Sequence, residues 1–129
     1  MTGERYEAGM EARRRVLGTE YLDNVLAGVT ELDADWQRVL TEFCWGTVWT
    51  GTALSDRQRS LNTLCLLGAG DRETEFRLHL KGALKNGVTV PEITETLIQI
   101  AVYAGVPAGV QAFRVAREVL VSDGSTSTD

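Results

Sequence analysis

The chain has 129 residues, of which 43% are hydrophobic and 24% are charged. This composition is typical of a globular protein, and the length suits one domain with its own core. The net charge is −5 at pH 7, which argues against a nucleic-acid partner because such a surface repels phosphates. No run of 18 apolar residues occurs, so we expect no membrane span.

The N-terminal residues and the cysteines both indicate a reducing compartment. No apolar segment follows the charged residues of the first 15 positions, so no signal peptide is predicted and we expect a cytoplasmic protein. Cys44 and Cys65 lie in apolar helical patterns, where free thiols fit better than the single disulfide that they could form. They do not form a Cys-x-x-Cys motif, so neither a dithiol redox site nor a zinc site is predicted.

The first half of the chain predicts four helices, because apolar residues recur there at spacings of three and four. The third of them carries an apolar stripe, and the fourth begins with the spacing of a capping box at Ser55–Gln58. The predicted helices are a first with the stripe Tyr6, Met10 and Leu17 that ends at Gly18, a second over about 20–28, a third from Asp33 to about Thr50 with the stripe Trp36, Val39, Leu40 and Phe43, and a fourth from Ser55 to Gly68.

The second half continues the helical pattern. The predicted helices are one over 72–85 that is capped by Asp71 and stops at Asn86-Gly87, one that is capped by Thr89 with Glu92 and runs to Ala104, and one that is opened by Pro107 and has the core stripe Val110, Phe113, Ala116 and Leu120. We therefore predict an all-α protein of six to seven helices in a single domain over residues 1–121, followed by a disordered polar tail over 122–129.

Two of these segments are more apolar than a monomer of this size needs, namely 61–67 and 97–106. Trp45 and Trp49 also lie on a different face from the stripe of the third helix. Because a helix with two apolar faces usually has two partners, we expect a homo-oligomer.

Two residues are candidates for acid–base chemistry. His79 is the one histidine in the chain, and Glu75 one helical turn earlier can hold one of its ring nitrogens. Glu42 shares a predicted helix face with Trp45, Gly46 and Trp49, where desolvation would raise its pKa. The alternatives are a surface or interfacial histidine and a glutamate at the rim of an oligomer contact.

Arginines are the candidates for carboxylate binding, because the guanidinium can donate two parallel hydrogen bonds to a carboxylate. Arg57 and Arg59 stand in the first turn of the fourth predicted helix, and Arg72 and Arg77 flank the turn of His79. The alternative for each is a solvated or ion-paired surface residue. Gly68-Ala-Gly70 lacks the lysine of a phosphate-binding loop, and no second histidine exists for a histidine-rich metal site, so no metal is predicted.

Several stretches in order resemble the 4-carboxymuconolactone decarboxylase family, at nearly constant spacing over residues 5–120. They are Arg5-Tyr-Glu-Ala-Gly-Met10, Arg14-Arg-Val-Leu-Gly18, Glu42-Phe-Cys-Trp-Gly46 with Trp49, Arg57-x-Arg-Ser-Leu61, Arg77-Leu-His-Leu80, Asn86-Gly-Val-Thr89, Glu92-Ile93, Gln99 and Tyr103-Ala-Gly-Val-Pro107. The resemblance implies the all-α alkylhydroperoxidase D-like fold, assembled as a homo-oligomer such as a trimer or hexamer. In the redox branch of that superfamily two thiols precede the histidine, and here Arg72 and Glu75 occupy those positions.

The resemblance also implies a reaction, the cofactor-free decarboxylation of γ-carboxymuconolactone to the β-ketoadipate enol-lactone in protocatechuate breakdown. On this interpretation His79 and Glu42 are catalytic, and the substrate is bound by Arg57, Arg59, Arg72, Glu75 and Trp45. The alternatives are a family enzyme that acts on a different lactone or a secondary-metabolism intermediate, and a non-catalytic oligomer that binds a small acid.

Overall fold

A computed structural model describes residues 3–123 of the chain, and within this range it contains α-helices and one π-helical turn but no strand. The prediction of an all-α protein with six to seven helices is therefore confirmed. The elements are α1 (Glu4–Leu17), α2 (Thr19–Ala27), α3 (Ala34–Leu40), a π-helical turn (Thr41–Trp45), α4 (Asp56–Ala69), α5 (Glu73–Lys85), α6 (Val90–Ala104) and α7 (Val106–Asp123). None of these helices is both long and apolar enough to cross a membrane.

The described residues form two compact units, one that ends at Asp56 and one that begins with Arg57. In the first unit, α1 packs against the π-helical turn backbone to backbone. A methyl group on Gly9 would lie 2.2 Å from the carbonyl oxygen of Thr41, and one on Gly46 would lie 2.4 Å from the carbonyl oxygen of Arg5. Only glycine allows this approach at both positions, because any side chain would overlap backbone atoms.

The third predicted helix is shorter than the sequence indicated. An α-helical pattern continues to about Thr50, but α3 ends at Leu40 and is followed by the π-helical turn and by irregular turns from 46 to 50. The amide of Gly46 donates to the carbonyl of Thr41 at 2.7 Å, a bond that spans five residues instead of four. The periodicity of side chains does not reveal such a widened turn, so the sequence could not predict it.

The buried face of this segment is also different from the predicted one. Trp36, Val39 and Phe43 of the predicted stripe are exposed, whereas Trp45 and Trp49 are 3% and 4% exposed and their rings stack with centroids 5.2 Å apart. Because α1 packs on the π-helical turn, the side of the segment that carries the two tryptophans is the buried one.

The second unit is built on one apolar cluster that α4, α5, α6 and α7 share. Its fully buried side chains include Leu64, Phe76, Leu80, Ile93, Leu97, Val115 and Val119. Glycines with positive φ angles end two of the helices, at Gly87 (89°) and Gly105 (113°), which a residue with a side chain would rarely adopt. The helix boundaries predicted at these two glycines are confirmed.

Two details of the second unit correct the sequence-based expectations. Asp71 does not cap α5, because it has a φ angle of 58° in the turn before the helix, and Arg72 occupies the N-cap position. On α7, Ala116 and Leu120 are buried as predicted, but Val110 and Phe113 are exposed, since the core contacts of this helix lie at Ala112, Val115 and Val119 instead.

The start of α6 and the end of α7 can also be compared with the predictions from the sequence. The capping box at Thr89 is present, because its hydroxyl accepts from the amide of Glu92 at 3.3 Å and the Glu92 carboxylate accepts from the amide of Thr89 at 2.8 Å. Helix α7 runs to Asp123, so the first two residues of the predicted polar tail are helical. Residues 124–129 of that tail lie outside the described range.

Candidate active-site residues

His79 lies on α5, at the border between the buried and the exposed side of this helix. The neighbours Phe76 and Leu80 are buried in the cluster, while the imidazole is half-buried with its Nδ1 atom shielded from solvent. Burial lowers the pKa of His79 to about 4, and the carboxylate of Glu75 acts in the opposite direction. At neutral pH the imidazole is therefore uncharged, with one N–H donor and one nitrogen acceptor.

The two arginines at the start of α4 have different surroundings. Arg57 donates to the carbonyl oxygen of Gly87 and forms an ion pair with the carboxylate of Glu92, so its guanidinium is engaged in joining α4 to the turn between α5 and α6. Arg59 is half-buried and, within the described residues, makes no side-chain hydrogen bond and no ion pair. Of the two, Arg59 therefore has the guanidinium that is available to an acid.

The carboxylate of Glu92 links the N-terminus of α6 to α4. The pKa of its carboxyl group is lowered, first by the hydrogen bond from the amide of Thr89, then by the hydroxyl of Thr89, and also by Arg57. The carboxylate thus accepts from the N-terminus of α6 and from α4 at once. Arg57 is a structural link in this geometry.

Arg72 and Glu75 are both exposed at the beginning of α5. Arg72 has no ion-pair partner in the described part of the chain, and Glu75 lies one turn before His79 and acts on its charge. A nearby ionic network holds the same end of α5 to α7, with Arg114 at 2.6 Å from Glu73 and Arg77 at 2.7 Å from Glu118. Arg77 is thus engaged in structure, which separates it from Arg72.

Glu42 does not have the surroundings that the sequence indicated. Its side chain is 37% exposed, and its carboxylate lies 3.7 Å from the guanidinium of Arg38. The expectation of a carboxyl group desolvated between two indoles is wrong, because an α-helical face was assumed where the chain is π-helical. Its backbone carbonyl accepts from the hydroxyl of Thr47 at 3.1 Å, which also follows from the wider turn.

Trp45 is enclosed within the first unit, stacked on Trp49. Glu42 and Trp45 belong to the first unit, whereas His79 and the arginines at positions 57, 59 and 72 belong to the second. All the contacts described above for these residues lie within one unit.

Two buried polar residues, Arg13 and Ser60, were not among the site residues predicted from the sequence. Arg13 is 4% exposed and Ser60 is 1% exposed, and both Arg13 Nε and Ser60 Oγ are buried without a hydrogen-bond partner. A signal for each was present, because Arg13 lies one turn after Gly9 and Ser60 lies one turn before Leu64 on the same helix face. The run of three arginines at 13–15 obscured the first of these.

The two cysteines and the possible metal ligands are the remaining groups that could carry chemistry. Cys44 and Cys65 are free and half-buried, as the sequence favoured, and burial raises the pKa of both thiols. A thiol with a raised pKa is a weak nucleophile at neutral pH. Among residues 3–123, no cluster of three or more histidine, cysteine, aspartate or glutamate side chains is arranged to hold a metal ion.

The chain is similar to known proteins along most of its length. The model of the carboxymuconolactone decarboxylase family matches residues 34–118. The chain belongs to this family. It is 38% identical to the 4-carboxymuconolactone decarboxylase of Acinetobacter baylyi over 90% of the chain and 87% of that protein. It is also 39% identical to the nitrosuccinic acid decarboxylase npaB of Metarhizium robertsii, over 89% of the chain and 80% of that protein.

These two relatives are named for different acids, and the chain is about equally similar to both. The shared feature of their names is the removal of a carboxyl group. The resemblance seen in the sequence is therefore confirmed for the family, over the stretch that includes Glu42, Arg57, Arg59 and His79.

Proposed function

We propose that this protein is a carboxy-lyase that converts 4-carboxymuconolactone into the β-ketoadipate enol-lactone, in the breakdown of protocatechuate. The observation that carries the proposal is the 38% identity with a decarboxylase named for that substrate, which extends along nearly the whole chain and includes His79. The half-buried, uncharged imidazole of His79 gives the proposal its chemistry.

The proposed reaction requires a group that accepts the electron pair of the broken carbon–carbon bond. When the carbon–carbon bond to the ring carboxylate breaks, carbon dioxide leaves and the bonding pair moves through the ring alkene onto the lactone carbonyl oxygen. A proton then adds to a ring carbon, and the electron pair returns to form the carbon–hydrogen bond. The lactone accepts the electrons itself, so the proposed route uses no cofactor.

In this mechanism the protein stabilises the oxygen on which charge develops. An imidazole with a pKa of about 4 stays neutral at pH 7, so its N–H donates to that oxygen as a neutral hydrogen-bond donor. We assign this role to His79. Glu75 is the nearby carboxylate that acts electrostatically on its imidazole. The proton that adds to the ring carbon comes from solvent, and Glu42 is assigned as the group that passes it on, taking it from water and giving it to the carbon.

The carboxylates of the substrate need cations. Arg59 is the first choice, because its guanidinium is half-buried and has no ion-pair partner in the described residues. Arg57 stabilises the contact of α4 with Gly87 and Glu92, and Arg72 is assigned as a second cation for the acetate arm of the substrate. Trp45 is 3% exposed, so its proposed part in substrate binding is indirect, as an apolar support within the first unit.

A second candidate is decarboxylation of nitrosuccinic acid, which the 39% identity with npaB favours. A nitro group can accept the electron pair as a lactone carbonyl does, so the same neutral donor and the same cation would serve. The two candidates differ in the shape of the electron-accepting group that His79 would meet.

The proposed enzyme acts as a homo-oligomer, a trimer or hexamer, in the cytoplasm. In support, α6 and α7 border an open apolar groove of about 880 Å³ that includes Val106, Val110 and Phe113. Val102 and Val110 are 72% and 65% exposed, which is costly for aliphatic side chains in water. Size-exclusion chromatography with light scattering tests this, and a monomer at micromolar concentration contradicts it.

The central experiment compares two substrates with one variant. Purified protein is given enzymatically generated 4-carboxymuconolactone or nitrosuccinate, and carbon dioxide release is followed for the wild type, His79→Gln and the exposed control Glu31→Gln. We expect turnover of the lactone by the wild type and the control, with a loss of about 100-fold or more in His79→Gln. Turnover of nitrosuccinate alone supports the second candidate, and no turnover of either acid by the folded protein contradicts both.

A further inference from the structure

Arg13 is a buried cation without an acidic partner. Its side chain is 4% exposed, and no carboxylate of the described residues lies within 4 Å of its guanidinium. Removing a charge from water costs several kcal/mol unless an opposite charge or hydrogen bonds compensate it. Neutral hydrogen-bond acceptors therefore have to compensate the charge of Arg13.

The contacts of Arg13 lie at one point of the first unit. Its Nη1 donates to Gln37 Oε1 at 2.9 Å and to Thr41 Oγ1 at 3.3 Å, while Nε has no partner. Gln37 belongs to α3 and Thr41 is the first residue of the π-helical turn. Arg13 therefore bridges the junction at which the chain changes from α-helix to π-helix.

Both the hydroxyl and the carbonyl group of Thr41 form hydrogen bonds at this junction. Its hydroxyl donates to the carbonyl of Gln37 at 2.7 Å, and its carbonyl accepts the amide of Gly46 at 2.7 Å in the five-residue bond that defines the π-helical turn. Its side chain is 1% exposed. With the hydroxyl proton used on Gln37, the oxygen of Thr41 can only accept, and Arg13 supplies the donor.

The register of this turn decides where the following side chains point. A π-helical turn is rare because it is less stable than an α-helical one, so something must favour it. If the amide of Gly46 bonded to Glu42 instead of Thr41, the residues after the turn would rotate by about 100° about the helix axis. Glu42 and Trp45, which belong to the turn, would then face a different direction relative to Trp49, and the stack of the two indoles would be lost.

We propose that Arg13 is a positioning residue that selects the π-helical register of Thr41–Trp45, and thereby sets the directions of the Glu42 carboxylate and the Trp45 ring. Gly9, one turn before Arg13, makes this possible because it lets α1 approach the carbonyl of Thr41 closely enough for the guanidinium to reach the junction. The effect on catalysis depends on the function proposed above, whereas the effect on the register does not.

The stacked pair of Trp45 and Trp49 gives a readout of the register that needs no substrate. Two indoles with centroids 5.2 Å apart couple their electronic transitions, which produces a paired positive and negative band in the far-ultraviolet circular dichroism spectrum. Trp45→Phe removes one indole and gives the spectrum without coupling. The remaining tryptophan, Trp36, is exposed and provides an internal reference.

The experiment compares Arg13→Met and Arg13→Lys with the control Arg14→Met. Arg14 is a partly exposed neighbour on the same helix, paired with Asp23 at 3.1 Å. We expect Arg13→Met to lose the coupled band and about 100-fold in kcat with little change in KM, since the groups are misplaced but still present. Arg13→Lys regains part of both because an ammonium reaches one acceptor, and Arg14→Met resembles the wild type.

Gln37→Glu distinguishes positioning from direct binding of a substrate acid by Arg13. A carboxylate at this position keeps the contact to Arg13 and neutralises its charge, so we expect the coupled band and kcat to be retained. An intact band with a KM raised tenfold or more would overturn the proposal, because Arg13 would then be needed as a free cation.

Thr41→Val keeps the proposal testable if Arg13→Met does not fold. It leaves Arg13 in place and removes only the hydroxyl, so we expect the coupled band to weaken and kcat to fall in parallel. An unchanged band and unchanged kcat in Thr41→Val would overturn the proposal. If the wild type turns over neither acid, the proposed function fails, and the band still decides whether Arg13 sets the register.

Discussion

Arg57 donates a hydrogen bond to the backbone carbonyl of Gly87, which lies 30 residues further along the chain. Gly87 is the positive-φ residue that ends α5, and the same guanidinium pairs with Glu92 in the first turn of α6. One side chain thus holds the turn between two helices against a third. This engagement separates Arg57 from its neighbour Arg59, although both stand in the first turn of α4.

The first prediction follows from this difference. Arg59→Ala should lower kcat/KM by about 10- to 100-fold, mainly through KM, since one charge-assisted hydrogen bond to a substrate carboxylate is lost. Arg57→Ala should instead lower the free energy of unfolding by about 1 kcal/mol, because its interactions are partly exposed. Steady-state kinetics and urea unfolding of both variants check this, and equal effects of the two on KM would contradict the assignment of Arg59.

The second prediction concerns the pH dependence of stability. The pKa of His79 is about 4 in the folded protein against 6.5 for the free side chain, so the unfolded chain binds more protons between these values. The contribution of His79 is therefore complete above pH 6.5 and falls by about 3 kcal/mol as the pH is lowered to 4. His79 is the one histidine of the chain, so His79→Gln removes this dependence entirely.

Urea unfolding at several pH values between 7 and 4 measures this difference. The free energies of unfolding of the wild type and of His79→Gln should converge or cross as the pH falls, because only the wild type loses the contribution of a neutral buried imidazole. Parallel curves for the two proteins would show that His79 titrates in the folded state as it does in water.

The third prediction tests the close packing of α1 on the π-helical turn. Gly9→Ala places a methyl group 2.2 Å from the carbonyl oxygen of Thr41, and backbone must move to accept it. We expect a loss of about 1–3 kcal/mol in the free energy of unfolding. Gly28→Ala is the control, since a methyl group there would lie 3.6 Å from its nearest neighbour in ordinary contact. Thermal or urea unfolding that gives the same stability for both variants would contradict the packing.

The fourth prediction concerns the capping box of α6. Thr89→Ala removes the hydroxyl that accepts from the amide of Glu92 and should cost about 1 kcal/mol of stability. Thr94→Ala changes an exposed threonine inside the same helix and should cost nothing, because alanine has a higher helix propensity than threonine. An equal loss of stability in both variants would contradict the cap as the cause.

Local signals in the sequence predicted the helices and several of their ends. The capping box at Thr89 and the glycines at 87 and 105 act through neighbouring backbone groups only, so their effects could be predicted from a few adjacent residues. Asp71 shows the limit of this reasoning, because the chain turns at that residue with a positive φ angle and leaves the cap position to Arg72.

The candidate site divides in the same way. His79, Glu75 and the arginines were found because their residue types and helical spacing are visible in the sequence, and the family resemblance pointed to the same positions. The sequence could not distinguish Arg57 from Arg59, since the groups that engage Arg57 come from another part of the chain. It also placed Glu42 on the wrong kind of helix.

The sequence by itself determined that this protein is all-α, where most of its helices begin and end, and to which family it belongs. The tertiary structure decided which faces are buried, that Thr41–Trp45 is π-helical, that the His79 imidazole is neutral and that Arg13 is enclosed. These properties depend on which side chains and backbone groups meet across long separations in the chain. Burial and the pKa shifts that it causes are set by that packing, and no local pattern of residues encodes it.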